Sequence, residues 1–352
     1  MVVRRGESVS GSSGELALIA SIRARKQARN PVLRLGIGDD CAIICPKPDV
    51  EIAVTTDFSL ENAHFWRDKH PPESIGHRCL ARGLSDLAAM GARPVAAFLS
   101  LAVPQELTIA GGGQSHRRKS WVVRFLDGLM ALAEVMEAPL AGGDTAESPS
   151  GLVAADIVLL GAVRTRQALL RSGARAGDLI YVTGALGGAA AELLALQQNP
   201  GEFVSLKVAK PGHPHLYPEP RIAVGMKLVD QKLATAAIDI SDGLSTDLRH
   251  LCEESQLAAE IDAAALPVHS MAHLVEAAQW TPSALDLALH GGEDYELLFT
   301  ASPTTKLPNR IGSVAVHQIG RMTRRQQGAP VVRLNEDGSN RELKAGGWEH
   351  FR

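Results

Sequence analysis

The sequence predicts an α/β protein with mixed sheets, built from about two domains. Its 352 residues exceed the length of one typical domain. The hydrophobic share of 45% is enough for a sizeable core, and the 33 Gly residues suit many tight turns between strands and helices. Strand-like and helix-like segments also alternate through both halves of the chain, which is typical of this class.

The first half contains apolar patterns of both helical and strand period. The strand that includes TTD is expected to end in a polar turn at Asp57, and residues 110–120 form a basic, Gly-rich loop. The predicted elements are a helix over 15–29, a strand over 51–57, a helix over 73–90, a strand over 95–103, a helix over 121–137, a short strand into the GGDT motif and a strand over 156–163.

The second half repeats the alternation after a boundary near residues 165–176. It predicts a strand over 177–184, a helix from 185, a strand in AAIDIS, a helix in TDLRHLCEES and a further unit in DLALHGGEDYELLFT. We therefore predict a flexible leader over 1–14, an N-terminal domain over 15–165 and a C-terminal α/β domain over 166–352.

Composition excludes several classes of function. A formal net charge of -3 gives no basic footprint for nucleic acid. The 4 cysteines form no C-x-x-C pair, which in a chain of this size indicates reduced thiols. Cys41 and Cys45 are close enough to suggest a metal site, but no second Cys or His pair has suitable spacing. No secretory signal or membrane span is found, so we expect a cytoplasmic protein with neither nucleic-acid nor membrane partners.

Acidic residues recur in one setting, in which small residues and an acid follow an apolar stretch. Each acid alone is explained equally well by a turn or a helix N-cap, and Asp247 is most simply an N-cap. Six such segments together predict a shared cation, because a buried carboxylate must be paired, protonated or bound to metal. They contain Asp39 and Asp40, Asp57, Asp86, Asp144, Asp239 with Asp242, and Glu293 with Asp294 and Glu296.

The acids indicate nucleotide chemistry. Oxygen ligands favour Mg²⁺, which is commonly shared with substrate phosphates. The sequence contains neither a Walker loop nor a kinase-type G-x-G-x-x-G motif. Phosphates would therefore be held chiefly through metal ions, with help from a few basic residues.

A series of motifs occurs in one fixed order along nearly the whole chain, about Gly14 to Phe351. The motifs are GIGDDCA, TTD followed by HF, LSDLAAMGA, GGDT, RSGA followed by IYVTG, IDISDGLS, GGEDYELLFT and GGWEHF. Together they resemble the thiamine-monophosphate kinase family, within the aminoimidazole-ribonucleotide-synthetase-like ATP-binding superfamily. The chain departs from the family pattern at Arg82 and Gly83, where Val-Asn is typical.

The resemblance implies ATP-dependent phosphorylation of thiamine monophosphate to thiamine diphosphate, with ATP as co-substrate and several Mg²⁺ ions. It leaves open whether a monovalent cation takes part. It also implies a two-domain fold and a homodimer that pairs its N-terminal domains through a β-barrel-like interface. The implied metal ligands are Asp40, Thr55, Thr56, Asp57, Asp86, Asp144, Asp239 and Asp242. The implied ATP contacts are Gly143, Asp144, Arg171 and Ser241, and the implied thiamine contacts are His64, Glu293 and Trp348.

The acceptor of such a reaction is already an ionised phosphate, since its second pKa is about 6. It needs no strong general base, so we hypothesise direct in-line transfer driven by metals and positioning, without a dedicated catalytic side chain. A covalent step is not excluded by the sequence.

Two alternatives stay open for the function. One is another ATP-dependent enzyme of the same superfamily, and the other is a non-catalytic nucleotide-binding paralogue. Single positions also have plainer interpretations: His64 as a loop histidine, Arg171 as a solvated turn charge, Trp348 as a plug for the core and the loop 110–120 as a solvated charge run.

Overall fold

A computed structural model describes residues 21–25, 27, 29–37, 41–109, 119–198, 212–279 and 281–348. The leader over 1–14, Asp39, Asp40 and residues 110–118 of the basic loop lie outside the described residues. Of the helix predicted over 15–29, the described part is helical over 21–23 and turns at 24–25.

The N-terminal half is a four-stranded sheet with two helices on one face. Its strands run in the order β3-β6-β4-β5, in which only β4 and β5 are parallel. A two-stranded ribbon of β1 and β2 precedes the sheet. The elements are β1 (Leu33–Leu35), β2 (Ile43–Ile44), β3 (Val50–Leu60), α1 (Pro72–Ala89), β4 (Arg93–Val103), α2 (Trp121–Val135), β5 (Leu140–Glu147) and β6 (Ala154–Arg164).

Local sequence explains where the two helices begin. Helix α1 starts at Pro72, whose fixed φ suits the first helical position. Helix α2 starts after Ser120, whose side-chain hydroxyl accepts a hydrogen bond from the backbone N–H of Val123. Strand β4 is buried at most positions, as its near-continuous apolar sequence predicts.

The C-terminal half is a larger sheet flanked by short helices. Its strand order is β14-β13-β9-β12-β7-β10-β8, with β11 paired to β12, and only β9 and β13 are parallel. The elements are β7 (Leu179–Thr183), α3 (Gly188–Gln198), α4 (Ile222–Asp230), β8 (Ala236–Asp239), α5 (Leu244–Glu254), β9 (Leu257–Asp262), α6 (Ser270–Ala277), α7 (Ala284–His290), β10 (Leu297–Ala301), β11 (Arg310–Ile311), β12 (Val314–Arg324), β13 (Val332–Glu336) and β14 (Ser339–Glu342).

One hydrophobic cluster joins the two halves. Leu80 and Leu84 of α1 and Leu159 of β6 share it with Leu228 of α4 and Phe299 of β10. Helix α1 therefore lies between the N-terminal sheet and the C-terminal half, which places its polar residues where the two halves meet.

The other face of the N-terminal sheet is largely uncovered by the residues that the structure describes. The ribbon of β1 and β2 packs against one end of it, near Phe98 and Leu160. Further along, Val54 is 61% exposed and Phe58 is 57% exposed. We call this surface the open face.

The predicted mixed α/β fold is confirmed, and most predicted helices and strands occur within a few residues of their expected bounds. Three local predictions were wrong. Strand β3 continues to Leu60, so Asp57 lies inside a strand, and Asp144 likewise lies inside β5. Asp247 is not the N-cap of α5, because that position is Gly243.

The division into domains at residue 165 stays a prediction. Within the described ranges, no helix has the length and apolar character needed to cross a membrane.

Replacing Gly128 by Ala should destabilise the fold. A Cβ on Gly128 would lie 1.8 Å from the carbonyl oxygen of Glu73, because α1 and α2 pack backbone against backbone. We expect the free energy of unfolding to fall by about 3 kcal/mol, despite the better helix propensity of Ala. Urea titration followed by circular dichroism measures it. Gly36→Ala is the matched control, because its nearest neighbour would be at an ordinary 3.6 Å; equal losses in both variants would contradict the packing argument.

Candidate active site

The turn after β8 is organised by one buried carboxylate. Oδ2 of Asp247 accepts three backbone N–H groups, from Ser241, Asp242 and Gly243, each at 3.1 Å. Gly243 has φ 111°, a conformation that L side chains rarely adopt. The IDISDG motif is therefore a tight turn that presents Asp239 and Asp242 from fixed backbone positions.

The GGEDY segment is hydrogen-bonded directly onto this turn. The N–H of Glu293 donates to the carbonyl of Ser241 at 2.7 Å, and that of Tyr295 donates to the carbonyl of Ile240 at 2.9 Å. Both Glu293 and Tyr295 have positive φ, 66° and 50°. Left-handed backbone at two non-Gly residues persists where surrounding contacts enforce it, and it is common at functional sites.

The C-terminal GGW segment is attached to the same turn. The N–H of Trp348 donates to the carbonyl of Asp242 at 3.1 Å. Gly347 approaches so closely that a Cβ there would lie 1.8 Å from that carbonyl oxygen. The Trp348 indole remains 55% exposed, so this residue belongs to a docked tail and does not plug the core.

Helix α1 brings its polar side chains against the acids of β3 and β8. Residues 82, 85 and 86 lie on one side of the helix because their spacing follows the helical period. Three hydrogen bonds result: the hydroxyl of Thr55 to Asp86 Oδ2 at 2.5 Å, the hydroxyl of Ser85 to Asp239 Oδ2 at 2.6 Å, and Nε of Arg82 to Asp57 Oδ1 at 2.9 Å.

These acids repel one another. Burial raises the pKa of Asp239 to about 7, and the Asp86 carboxylate adds to the shift. Burial raises the pKa of Asp247 to about 8, with Asp239 and Asp242 contributing. Burial and then the neighbouring Asp57 also raise the pKa of Asp86. Burial is thus the main cause of the raised pKa values in this region, and repulsion between neighbouring carboxylates adds to it.

The donor set fits a hard divalent cation. It consists of carboxylate and hydroxyl oxygens, the ligands that Mg²⁺ prefers. Yet in the described part of the chain, no three His, Cys, Asp or Glu side chains are arranged to hold a metal. The acids bond instead to Arg82 and to hydroxyl groups, so a metal would have to exchange for those contacts.

A second charged cluster surrounds Glu293. Its carboxylate lies 2.6 Å from Arg78, 3.1 Å from His215 and 3.7 Å from Arg82. Burial opposes ionisation of Glu293, but these three neighbours outweigh it and hold its pKa well below the usual range. Arg78 also donates to the backbone carbonyl of His64 at 3.0 Å. Glu293 and His64, two predicted substrate contacts, are thereby joined through one guanidinium.

A buried pair of histidines adjoins this cluster. Nε2 of His70 lies 2.9 Å from Nε2 of His215. Burial, then the nearby His215, lowers the pKa of His70 to about 2. Sequence reasoning missed Arg78, Arg82, His70 and His215. Only the departure from the family pattern at Arg82 offered a signal.

The N-terminal sheet separates two further predicted metal ligands, Thr56 and Asp144, from the acids beneath α1. Side chains alternate along a strand, so Thr55 and Asp57 face α1 while Thr56 lies on the open face. The register aligns Phe58, Asp156, Ser100 and Asp144 in one row across the sheet, which puts Asp144 on the open face as well. Strands β3 and β5 are the two edges of the sheet. Thr56 and Asp144 therefore do not join the acids beneath α1 in the single chain.

The predicted ATP contacts are also dispersed. Gly143 lies beside Asp144 inside β5, at the far edge of the sheet. Arg171 is exposed, and its charge opposes the raised pKa values of Asp86 and Asp239. Ser241 sits in the IDISDG turn.

Comparison with known proteins identifies the family. Models of the N-terminal and C-terminal domains of AIR synthase related proteins match residues 38–163 and 175–333. A thiamine-monophosphate kinase of Escherichia coli (strain K12) is 37% identical over 349 residues, which cover 96% of this chain and 98% of the relative. The chain belongs to the thiamine-monophosphate kinase family.

Solved structures of this family share the fold. The crystal structure of thiamine-monophosphate kinase from Stenotrophomonas maltophilia K279a matches with a TM-score of 0.73 at 34% identity, covering 94% of this chain and 97% of that one. The structure of AaThiL complexed with AMPPCP and TMP matches with a TM-score of 0.70 at 29% identity, covering 96% and 97%. The family membership implied by the ordered motifs is thus confirmed.

The buried His70 should make stability depend on pH. Its folded-state pKa lies below that of an unfolded histidine, so folding excludes a proton that the unfolded chain binds. The stabilisation is complete above about pH 6.5 and is lost as pH falls, by up to about 1.4 kcal/mol per pH unit. Urea unfolding between pH 7 and pH 5 should show a shallower loss for His70→Gln than for the wild type. His273→Gln, at an exposed position, is the control, and equal slopes in all three proteins would contradict the assignment.

Proposed function

We propose that this chain transfers the terminal phosphoryl group of ATP to thiamine monophosphate, giving ADP and thiamine diphosphate. The similarity to thiamine-monophosphate kinase over 96% of the chain carries the proposal. The site supports it, because an oxygen-rich acidic cluster lies next to an ionised carboxylate ringed by cations. A structural relative was solved in complex with AMPPCP and TMP, which match the two proposed substrates in kind.

We propose that Mg²⁺ ions are held by Thr55, Asp57, Asp86, Asp239 and Asp242. When bound, Mg²⁺ supplies charge neutralisation and orientation of the phosphates. Asp40, Thr56 and Asp144 stay in the proposed ligand set, and whether a monovalent cation takes part stays open. The mutual repulsion of the acids supports this role, since a divalent ion would relieve it.

The proposed chemistry is a direct in-line transfer. An oxygen of the acceptor phosphate forms a bond to the γ-phosphorus of ATP while the bond to the ADP oxygen breaks. The acceptor phosphate has a second pKa of about 6 and is mostly ionised, so no side chain has to remove a proton. The chain contributes position and charge, with Gly143, Asp144, Arg171 and Ser241 proposed around ATP.

We place the thiamine moiety beside Glu293, His64 and Trp348. Glu293 is ionised, and its carboxylate can accept a hydrogen bond from the thiamine moiety. The indole of Trp348 is 55% exposed and presents a flat aromatic surface of the kind on which a cationic ring stacks. Arg78 fixes Glu293 and His64 relative to each other, which supports a single binding position for these groups.

A homodimer formed through the open face is also proposed. A sheet face with Val54 and Phe58 more than half exposed is typical of an interaction surface. Pairing two such faces would produce the β-barrel-like interface that the family resemblance implies, and it would bring Thr56 and Asp144 next to the partner. A cytoplasmic location stays a prediction.

The direct test is to incubate the purified chain with ATP, Mg²⁺ and thiamine monophosphate, and to measure thiamine diphosphate by chromatography. Wild-type protein should form it, and ATP should be consumed only when the acceptor is present. ATP hydrolysis without acceptor dependence would favour another enzyme of the superfamily. Absence of any turnover would favour a non-catalytic paralogue.

Asp86→Asn should lower the activity without lowering the stability of the fold. The amide keeps an acceptor for the Thr55 hydroxyl but removes one of the repelling charges. We expect turnover to fall by about 100-fold or more, while the metal-free melting temperature stays equal or rises. Differential scanning calorimetry and the same assay measure both quantities. Arg249→Gln, at an exposed pair on α5, is the control; wild-type turnover in Asp86→Asn would contradict the metal assignment.

Charge on the open face should prevent dimer formation. In the double variant Val54→Asp with Phe58→Asp, association should weaken by about 100-fold or more, because unpaired carboxylates would be buried in the interface. Light scattering after size-exclusion chromatography gives the mass. Val135→Asp is the control, since Val135 is 74% exposed at the end of α2, away from that face. A wild-type monomer, or a dimeric double variant, would overturn the proposed interface.

A further inference from the structure

Arg82 lies between the two charged clusters of the site. Its Nε and Nη2 are both 2.9 Å from Asp57 Oδ1. Its Nη1 is 3.7 Å from Glu293 Oε1. One guanidinium thus faces a proposed metal ligand on one side and a proposed thiamine contact on the other.

The contact of Arg82 with Glu293 does not use up the N–H donors of the guanidinium. A separation of 3.7 Å is too long for a hydrogen bond, so Nη1 stays able to donate to a closer acceptor. Glu293 keeps a hydrogen-bonded cation without Arg82, because Arg78 binds its carboxylate at 2.6 Å. Arg82 can therefore engage a ligand without leaving Glu293 unpaired.

The guanidinium is also held in place. Its side chain is only 14% exposed, and the bonds to Asp57 fix its plane. Arg78 and Arg82 are one helical turn apart on α1, so they present two cations along one line. A planar, pre-positioned fork of N–H donors is the geometry that recognises phosphate oxygens.

The proposed substrate needs a cation at this position. Its phosphate carries a charge of about −1.5 to −2 near neutral pH. If its ring lies beside Glu293 and its phosphate reaches toward Asp57, that phosphate passes between two carboxylates. The Arg82 guanidinium lies between those carboxylates and would offset their repulsion of the phosphate, in addition to any Mg²⁺ held by Asp57.

We propose that Arg82 binds the phosphate of the acceptor and so selects a phosphomonoester over the unphosphorylated compound. Arg82 then acts as a specificity-determining residue, and Arg78 positions Glu293 for the remainder of the substrate. This inference rests on the proposed function, since it takes thiamine monophosphate as the acceptor.

A comparison of two ligands tests it. Isothermal titration calorimetry would measure the binding of thiamine monophosphate and of thiamine to the full chain, with AMPPCP and either Mg²⁺ or no divalent metal. Arg82→Gln should weaken binding of thiamine monophosphate by about 10- to 100-fold, because charged hydrogen bonds are lost. Binding of thiamine should change by less than about twofold, since it has no phosphate to lose a contact with.

Two further variants keep the comparison interpretable. Arg82→Lys keeps the charge without the fork, and should give an intermediate loss for thiamine monophosphate alone. Arg78→Gln should weaken the binding of both ligands alike, because it removes the hydrogen-bonded partner of Glu293. Circular dichroism shows whether each variant is folded. If Arg82→Gln does not fold, the comparison is made with Arg82→Lys.

The outcomes distinguish the two proposals. If Arg82→Gln and Arg82→Lys weaken the binding of both ligands equally, or of neither, Arg82 serves only in a structural ion pair. The inference is then overturned while the proposed function stands. If the wild type binds neither ligand, the proposed function itself fails and the inference falls with it.

Discussion

The structure depends on holding several buried carboxyl groups near one another beneath α1 and in the turn after β8. Asp239 and Asp247 are buried, and their raised pKa values follow from burial and mutual repulsion. The fold compensates locally: three backbone N–H groups point at Asp247, and the Ser85 hydroxyl points at Asp239. Such a site stores unfavourable electrostatic energy that a divalent cation can relieve, so binding and stability are linked.

Helix α1 is the element that makes this concentration of charge possible. It packs against the N-terminal sheet through its apolar side and against α2 through glycine contacts. Its polar side reaches across to the C-terminal half. Arg78, Arg82 and Asp86 recur along one face, so a single rigid helix meets both the acidic cluster and the Glu293 cluster. Precise spacing between the two clusters then follows from helical geometry.

The C-terminal half contributes the other rigid reference, the turn after β8. Segments that are distant along the chain, GGEDY and GGW, are hydrogen-bonded to its backbone carbonyls. Backbone contacts of this kind fix position without using side chains. The Glu293 carboxylate instead contacts Arg78 and His215, and the Trp348 indole is 55% exposed. The left-handed conformation of Glu293 is one consequence of that attachment.

The sequence by itself determined the order of helices and strands, the mixed α/β class and the family, because these depend on local periodicity and on motifs in a fixed order. It also named most residues of the candidate site. It could not tell that Asp57 lies within a strand or that Thr56 and Asp144 face away from α1, since strand register decides the side. Nor could it join Arg78 to Glu293 across 215 residues or His70 to His215 across 145. Only tertiary packing brings such groups together, because their partners are chosen by the burial of whole elements and no local pattern records it.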